Sequence, residues 1–353
     1  MIQKIWYRVW WFYVHVGLRF YFRNIKIVGA QNIPKGQAVM FVANHQNAFL
    51  DAIILTSSQP RTVHYLVRAE IFKRPFIKKL LASINLMPIY RIRDGWQSLS
   101  QNEEIFKACT KILSSKETLL IFPEGNHSLM RRLRPLSKGF TRIIFETLKQ
   151  HPNLSLQIVP VGINYTAHQT YYGDVGLNFG EPIDSKKYFD VNDFPTSSNR
   201  LKDVVAESMK KLTTHIDDSS NYEKIIDQLN ANHPDFCDPI EMNRRIASMH
   251  DLNSVEKLAV KTKSKYSFLT PVYLIAYLLN AIPLLLWRNV NNKISDPVMV
   301  GSIKSAFGIF VFPMYYILVA IILLIVFDAW IATIGLLILI YSMPLARRFY
   351  SKN

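Results

Sequence analysis

The chain has 353 residues, a formal net charge of +16, 49 % hydrophobic and 12 % aromatic residues, and two cysteines, Cys109 and Cys237. Cysteines this few, outside any C-x-x-C motif, exclude a disulfide framework and a zinc cluster and fit a reducing, cytosol-facing location. So large a positive charge calls for an acidic partner, and the apolar content moves that choice from nucleic acid toward a membrane surface.

The first segment, MIQKIWYRVWWFYVHVGLRFYFRN (1–24), winds at about 100° per residue into a cylinder with a narrow basic stripe. Lys4, Arg8, His15, Arg19 and Arg23 form the stripe, and aromatic and aliphatic side chains cover the rest. This is the pattern of an amphipathic helix lying in a bilayer interface, with a core helix as the alternative. Arg8, Arg19 and Arg23 interrupt the apolar stretch and no small-residue cleavage site follows, so a signal peptide is not expected.

From 25 to 215 the pattern alternates. Strand-like runs IKIVG (25–29), AVMFVAN (38–44), VHYLVR (63–68), TLLIFPEG (118–125) and LQIVPVGINY (156–165) are separated by helix-like segments at 48–57, 75–84, 97–115 and 137–150. The alternation predicts an α/β domain, its mainly parallel sheet flanked by helices. Residues 216–265 read as a polar helical connector with a basic juxtamembrane end, Lys257, Lys261, Lys263 and Lys265. Residues 266–353 read as membrane-embedded helices. SFLTPVYLIAYLLNAIPLLLW (267–287) is long enough to span a bilayer, although Pro271, Asn280 and Pro283 weaken it, and 306–345 predicts two spans joined near Asp328. Basic residues flank every apolar segment, which gives no clean alternation of loop charge and suits re-entrant or interfacial helices equally.

The stretch VANHQNAFLDAIIL (42–55) carries the first chemical signal. His45 follows an apolar strand and precedes an apolar helix, so it stands at a strand's C-terminal end, where α/β domains place active sites. A histidine held by a carboxylate is a device for taking a proton from a hydroxyl, and Asp51 is the carboxylate within reach. The second signal is LLIFPEGNHSLMRRLRPLSKG (119–139). Pro123 stops the strand and Gly125 permits a tight turn. Ser128, Arg131, Arg132, Arg134 and Lys138 follow, a basic run of the kind that holds a phosphate. LMPIYRIRDG (86–95) ends a strand with Arg91 and Arg93, and IVPVGINY (158–165) is an apolar strand closing with Pro160 and Gly162. His127 has no histidine or acidic residue at ligand spacing, so no metal is expected.

In this order the blocks resemble the glycerolipid (PlsC-like) acyltransferase superfamily, which includes glycerol-3-phosphate and 1-acylglycerol-3-phosphate acyltransferases; the resemblance covers residues 25–215. It implies an acyl-CoA or acyl-ACP co-substrate, a lyso-glycerolipid acceptor, and neither cofactor nor metal. His45 would be the general base and Asp51 its partner; Glu124 and Gly125 would shape the acceptor site and Arg91 would bind acceptor phosphate. The superfamily's usual spacing is His-x4-Asp, and here five residues intervene. In a regular helix the extra residue would turn Asp51 away by about 100°, so the turn must absorb it for the pair to meet. Asn126-His127-Ser128 stands where the superfamily often has Thr-Arg-Ser. Arg131 or Arg132 would then compensate for the missing arginine, or the acceptor is not a simple glycerol phosphate.

The expected activity is acylation of 1-acylglycerol-3-phosphate to phosphatidic acid at a membrane, with the catalytic domain on the cytoplasmic face. The alternatives are acylation of glycerol-3-phosphate or of a lyso-amino-lipid, and, outside the class, a catalytically inactive lipid-binding scaffold. That scaffold would be marked by loss of His45, Asp51 or FPEG, and none is lost. Nucleic acid is not an expected partner, because the basic residues flank apolar segments instead of forming one face with stacking aromatics. The segment FIKKLLASINLM (76–87) is the candidate wall of an acyl groove.

Overall fold

The computed structural model describes residues 2–90, 101–249 and 270–350. Its centre is a mixed sheet with strand order β1-β7-β6-β2-β5-β3-β4, and β8 pairs with β6 off that path. The strands are β1 (Asn24–Val28), β2 (Ala38–Ala43), β3 (Val63–Arg68), β4 (Leu86–Ile89), β5 (Thr118–Ile121), β6 (Leu156–Tyr165), β7 (Asp174–Phe179) and β8 (Ile183–Asp184). Pairing is parallel except where β6 meets β7 and β8. The sheet is therefore mainly parallel, as the alternating pattern predicts.

β2 shows why the sheet has helices on both faces. All six of its residues are buried, and alternate ones enter different cores because successive side chains in a strand point to opposite faces. Val39, Phe41 and Ala43 join one cluster with Leu50, Ile54 and Leu55 of α2 (Ala48–Ser57) and with Val14 and Leu18 of α1 (Ile2–Tyr21). Ala38, Met40 and Val42 join the other, which is closed by α4 (Gln101–Ser114), α5 (Gly139–Gln150) and α6 (Phe194–Leu212). Between β3 and β4 lies α3 (Pro75–Ser83), none of whose residues is buried.

α1 has two apolar faces. Tyr7, Val14, Leu18 and Tyr21 are buried, whereas Ile5, Trp6, Val9, Phe12 and Phe20 are exposed. Of the basic residues placed on a stripe, His15 is tied to the Ser57 carbonyl and Arg19 to His15. Arg23 lies beyond the helix and pairs with Asp174. Residues 216–249 contain α7 (Tyr222–Ala231) and α8 (Pro239–Ala247), which enclose a small core of Ile216, Ile225, Leu229, Phe236 and Met242. They are fastened to the sheet domain: Asn243 bonds to the carbonyls of Lys210 and Thr213 and to the His215 N–H. The basic residues Lys257 to Lys265 lie outside the described residues.

Among the described residues, two helices are long and apolar enough to cross a membrane, the mark of a membrane protein: α11 (Pro297–Val326) and α12 (Ala329–Tyr350). They join at Phe327 and Asp328, where the sequence places the break. α9 (Thr270–Leu279) and α10 (Ala281–Asn291) meet at 76°. The bend falls on Asn280, whose buried amide bonds Ser342 Oγ at 2.8 Å and Tyr316 Oη at 2.7 Å. A polar side chain that finds both partners inside the helical bundle makes that break tolerable in an apolar setting.

Candidate active site

The C-terminal ends of β2, β5 and β3 lie side by side in the sheet, and their following turns bring the site together. After β2, Asn44 is anchored by a two-way bond to the backbone of Ile163 on β6, its amide donating at 3.0 Å and its oxygen accepting at 2.7 Å. His45 then projects from the turn that leads into α2. Its Nδ1 lies 2.8 Å from Asp51 Oδ2. The same oxygen accepts the backbone N–H groups of Gln46 at 2.8 Å and Asn47 at 2.7 Å, and Oδ1 accepts the Tyr165 hydroxyl at 2.7 Å.

The Asp51 side chain has no exposure at all. A buried carboxylate is tolerable when its lone pairs are filled, and here four donors fill them. Tyr165 is held in its protonated, donating form, chiefly by burial and then by the nearby Asp51 charge, which together raise its pKa. Because Asp51 only accepts, Nδ1 of His45 carries the proton toward it, and Nε2 is left with its lone pair on the other side of the ring.

The five-residue spacing is absorbed where α2 begins. Ala48 has φ +41°, a left-handed conformation rare for a residue with a Cβ, and Asn47 just before it is not helical. This kink swings the first turn of α2 back so that Asp51 meets His45. Backbone strain of this kind persists only where the surroundings hold it.

The FPEG block closes over the histidine. Phe122 stacks on the His45 ring with centroids 4.2 Å apart, and the Ser128 N–H donates to the His45 carbonyl at 3.1 Å. Gly125 has φ +68° and its N–H returns to the Phe122 carbonyl at 3.2 Å, the tight turn expected of it. Glu124 points inward. Burial raises its pKa, opposed by Arg134, whose guanidinium bonds the carboxylate at 2.6 Å and also holds the Asn126 carbonyl. Glu124 thus shapes the loop as one member of an ion pair.

The rim is more open. Asn126 Oδ1 accepts from Arg68, at the end of β3, at 2.9 Å. His127 stands edge-on to His45, centroids 5.5 Å apart, and its Nε2 meets Asp296 at 3.2 Å. Burial lowers the His127 pKa, so its ring is neutral near pH 7. Ser128 Oγ accepts the Met130 N–H.

The basic run splits apart. Arg131 is turned inward: its guanidinium lies 3.5 Å over the Phe236 ring and bonds the Thr166 carbonyl, and burial lowers its pKa to about 10. Arg132 points to Asp217 at 3.8 Å, and Lys138 is exposed at the start of α5. Neither Arg131 nor Arg132 stands where an arginine at 127 would, whereas Arg68, passed over in the sequence, does reach the Asn126–His127 rim. Arg91 and Arg93 lie outside the described residues. Tyr165, Arg68 and Asp296 are the site's additions to the motif set, while Arg134, read as one of the phosphate-holding run, is instead the partner of Glu124. Strand-end placement is the signal that marks Arg68 and Tyr165, and no local signal marks Asp296. Among the described residues, no three His, Cys, Asp or Glu side chains are grouped to hold a metal ion.

Residues 24–164 match the family model described as Acyltransferase. An uncharacterised acyltransferase of Schizosaccharomyces pombe is 22 % identical over 46 % of this chain and 37 % of its own length. The chloroplastic 1-acyl-sn-glycerol-3-phosphate acyltransferase LPAT1 of Arabidopsis thaliana is 27 % identical over 53 % of this chain and 50 % of its own. Glycerol-3-phosphate O-acyltransferase 1 of Saccharomyces cerevisiae is 26 % identical over 32 % of this chain and 15 % of its own. The chain thus spans half or less of these relatives. Among solved structures, the 1-acyl-sn-glycerophosphate acyltransferase PlsC of Thermotoga maritima matches 54 % of this chain and 72 % of its own, at 22 % identity and a TM-score of 0.40.

Proposed function

We propose, on the match of residues 24–164 to the Acyltransferase family model, that this membrane protein transfers a fatty acyl group from a thioester, acyl-CoA or acyl-ACP, to the hydroxyl of a lyso-glycerolipid. The observation that carries the reading is the His45–Asp51–Tyr165 chain, in which Asp51 meets Nδ1 of His45 and leaves Nε2 on the opposite side of the ring, beside the FPEG loop. Nε2 accepts the proton of the acceptor hydroxyl as its oxygen attacks the thioester carbonyl. Asp51 fixes the tautomer and stabilises the imidazolium that forms. The tetrahedral intermediate then expels the thiolate, which takes the proton back from His45, so base and proton balance over one turnover. No covalent acyl-enzyme is needed; Cys109 is buried and burial raises its pKa to about 12, which suits a structural thiol.

1-Acylglycerol-3-phosphate is the acceptor we favour. Arg68 supplies a cationic group at the rim for its phosphate, and two of the relatives carry glycerol phosphates in their names. The membrane helices and the exposed apolar face of α1 would let acyl tails stay in apolar surroundings while head groups reach His45. The domain would face the cytoplasm, where acyl-CoA and acyl-ACP are found, in keeping with its free cysteines.

Proteoliposomes of the full chain, given labelled acyl-CoA or acyl-ACP, test this with glycerol-3-phosphate, 1-acylglycerol-3-phosphate, lysophosphatidylcholine and a lyso-amino-lipid as acceptors. Label in phosphatidic acid is the expected result. Label only in a lipid without a phosphate monoester reassigns the acceptor, and no labelled product from any acceptor overturns the acyltransferase reading in favour of a lipid-binding scaffold.

A further inference from the structure

The first turns of α11, a helix long enough to span the membrane, touch the turn that carries His45 and Asp51. Asp296 caps α11 by accepting the Val298 N–H at 3.0 Å, and its carboxylate also meets His127. Gly301 lies against the same region from the other side. A Cβ at this position would stand 2.2 Å from the His168 carbonyl oxygen and 2.6 Å from Asn47 Oδ1, so only glycine lets the helix come this close. Ser302 has no exposure. Its hydroxyl donates to the Asn47 carbonyl at 2.5 Å and accepts the Leu50 N–H at 3.0 Å.

These contacts bracket the left-handed Ala48 and reach the two residues on either side of it that fix Asp51. Asn47 donates its own N–H to the Asp51 carboxylate, and Leu50 is its chain neighbour. A strained turn keeps its geometry when more bonds hold it than its own sequence supplies. Ser302 supplies two, from a helix more than 250 residues along the chain.

We propose that Gly301 and Ser302 are positioning residues of the acyl-transfer site. The membrane helix braces the Asn47–Ala48 turn in the conformation that sets Asp51 against His45, and the C-terminal helices are thereby part of the catalytic apparatus as well as its anchor. The inference rests on the reading of His45 as general base and extends it to a segment outside the residues that match the acyltransferase family.

The experiment compares full-length wild type, Ser302→Ala, Ser302→Cys and Ser305→Ala in identical proteoliposomes. Ser305 is buried on the same helix, but its hydroxyl donates to the Ser302 carbonyl of that helix. Ser302→Ala should lower kcat roughly 10- to 100-fold with the acceptor KM kept within about twofold, because the base is misplaced while the acceptor rim is intact. Ser302→Cys should recover part of kcat, and Ser305→Ala should keep wild-type kinetics. Hydrogen exchange at the Leu50 amide should be faster in Ser302→Ala alone. Unchanged kcat in Ser302→Ala, or an equal loss in Ser305→Ala, overturns the proposal. Should wild type acylate no acceptor, the acyltransferase reading fails by itself; Leu50 exchange then decides the brace, and equal rates in wild type and Ser302→Ala overturn it.

Discussion

The two halves of the site follow opposite physical plans. The half around His45 and Asp51 is closed: Asp51 is fully buried, accepts four hydrogen bonds and is surrounded by groups that cannot move without leaving a polar atom unpaired. The rim is open: Asn126 is exposed, and Arg68 and His127 each make a polar contact to a side chain from a distant segment. The closed half suits a group whose pKa and orientation must not vary through the reaction. The open half suits recognition of a head group that must enter and leave.

If that division is right, substitutions in the two halves should separate in kinetics. The largest effect belongs to His45→Ala, which should lower kcat roughly 1,000-fold with the protein still inserted in the membrane. Asp51→Asn keeps the shape but replaces an acceptor with a group that cannot stabilise the imidazolium. It should lower kcat about 100-fold and leave the acceptor KM nearly unchanged; a change confined to KM would demote Asp51 to a binding role. On the rim, Arg68→Ala should raise the KM for a phosphorylated acceptor roughly tenfold at constant kcat, the size of one lost charge-assisted hydrogen bond. A fall in kcat instead would blur the division of the site into two halves.

The smallest effect concerns stability and pH. Burial holds His64, His127, His168 and His215 below the ordinary histidine value of 6.5, with His168 pushed down to about 3. At and below that ordinary value the unfolded chain binds more protons than the folded one, so stability rises with pH. It is fully present above about pH 6.5 and is lost as pH falls, His168 contributing to the loss down to about pH 3. The thermal unfolding midpoint of the solubilised protein should therefore drop between about pH 7.5 and about pH 5, and His168→Gln should flatten the slope. An unchanged slope in His168→Gln would show that this buried histidine titrates like the unfolded chain.

What the sequence reveals follows the same division. His45 and Asp51 are six residues apart, and the FPEG turn is read from Pro123 and Gly125 alone, so local chemistry was enough to find both. The alternation of apolar runs and helical segments likewise gave the parallel sheet, since β2 is buried on both faces and reads as a continuous apolar strand. The rim needs contacts that no periodicity encodes: Arg68 and Asn126 are 58 positions apart, and His127 and Asp296 are 169 apart. Arg131 misleads for a related reason. In a basic run it reads as a phosphate ligand, but Phe236 and the Thr166 carbonyl, from distant segments, give it a buried place. β7 escaped notice because its run begins at Asp174 and has Gly176 and Asn178 within it, and the β6–β7 pairing supplies what propensity does not.

The most direct test of the central claim is the double variant His45→Ala/Asp51→Asn, measured against His45→Ala by single-turnover transfer of labelled acyl groups. If Asp51 acts only by holding and stabilising His45, it has nothing left to do once the imidazole is gone, and the double variant should be as slow as His45→Ala. A further loss on adding Asp51→Asn, or near wild-type turnover in His45→Ala itself, would contradict the account.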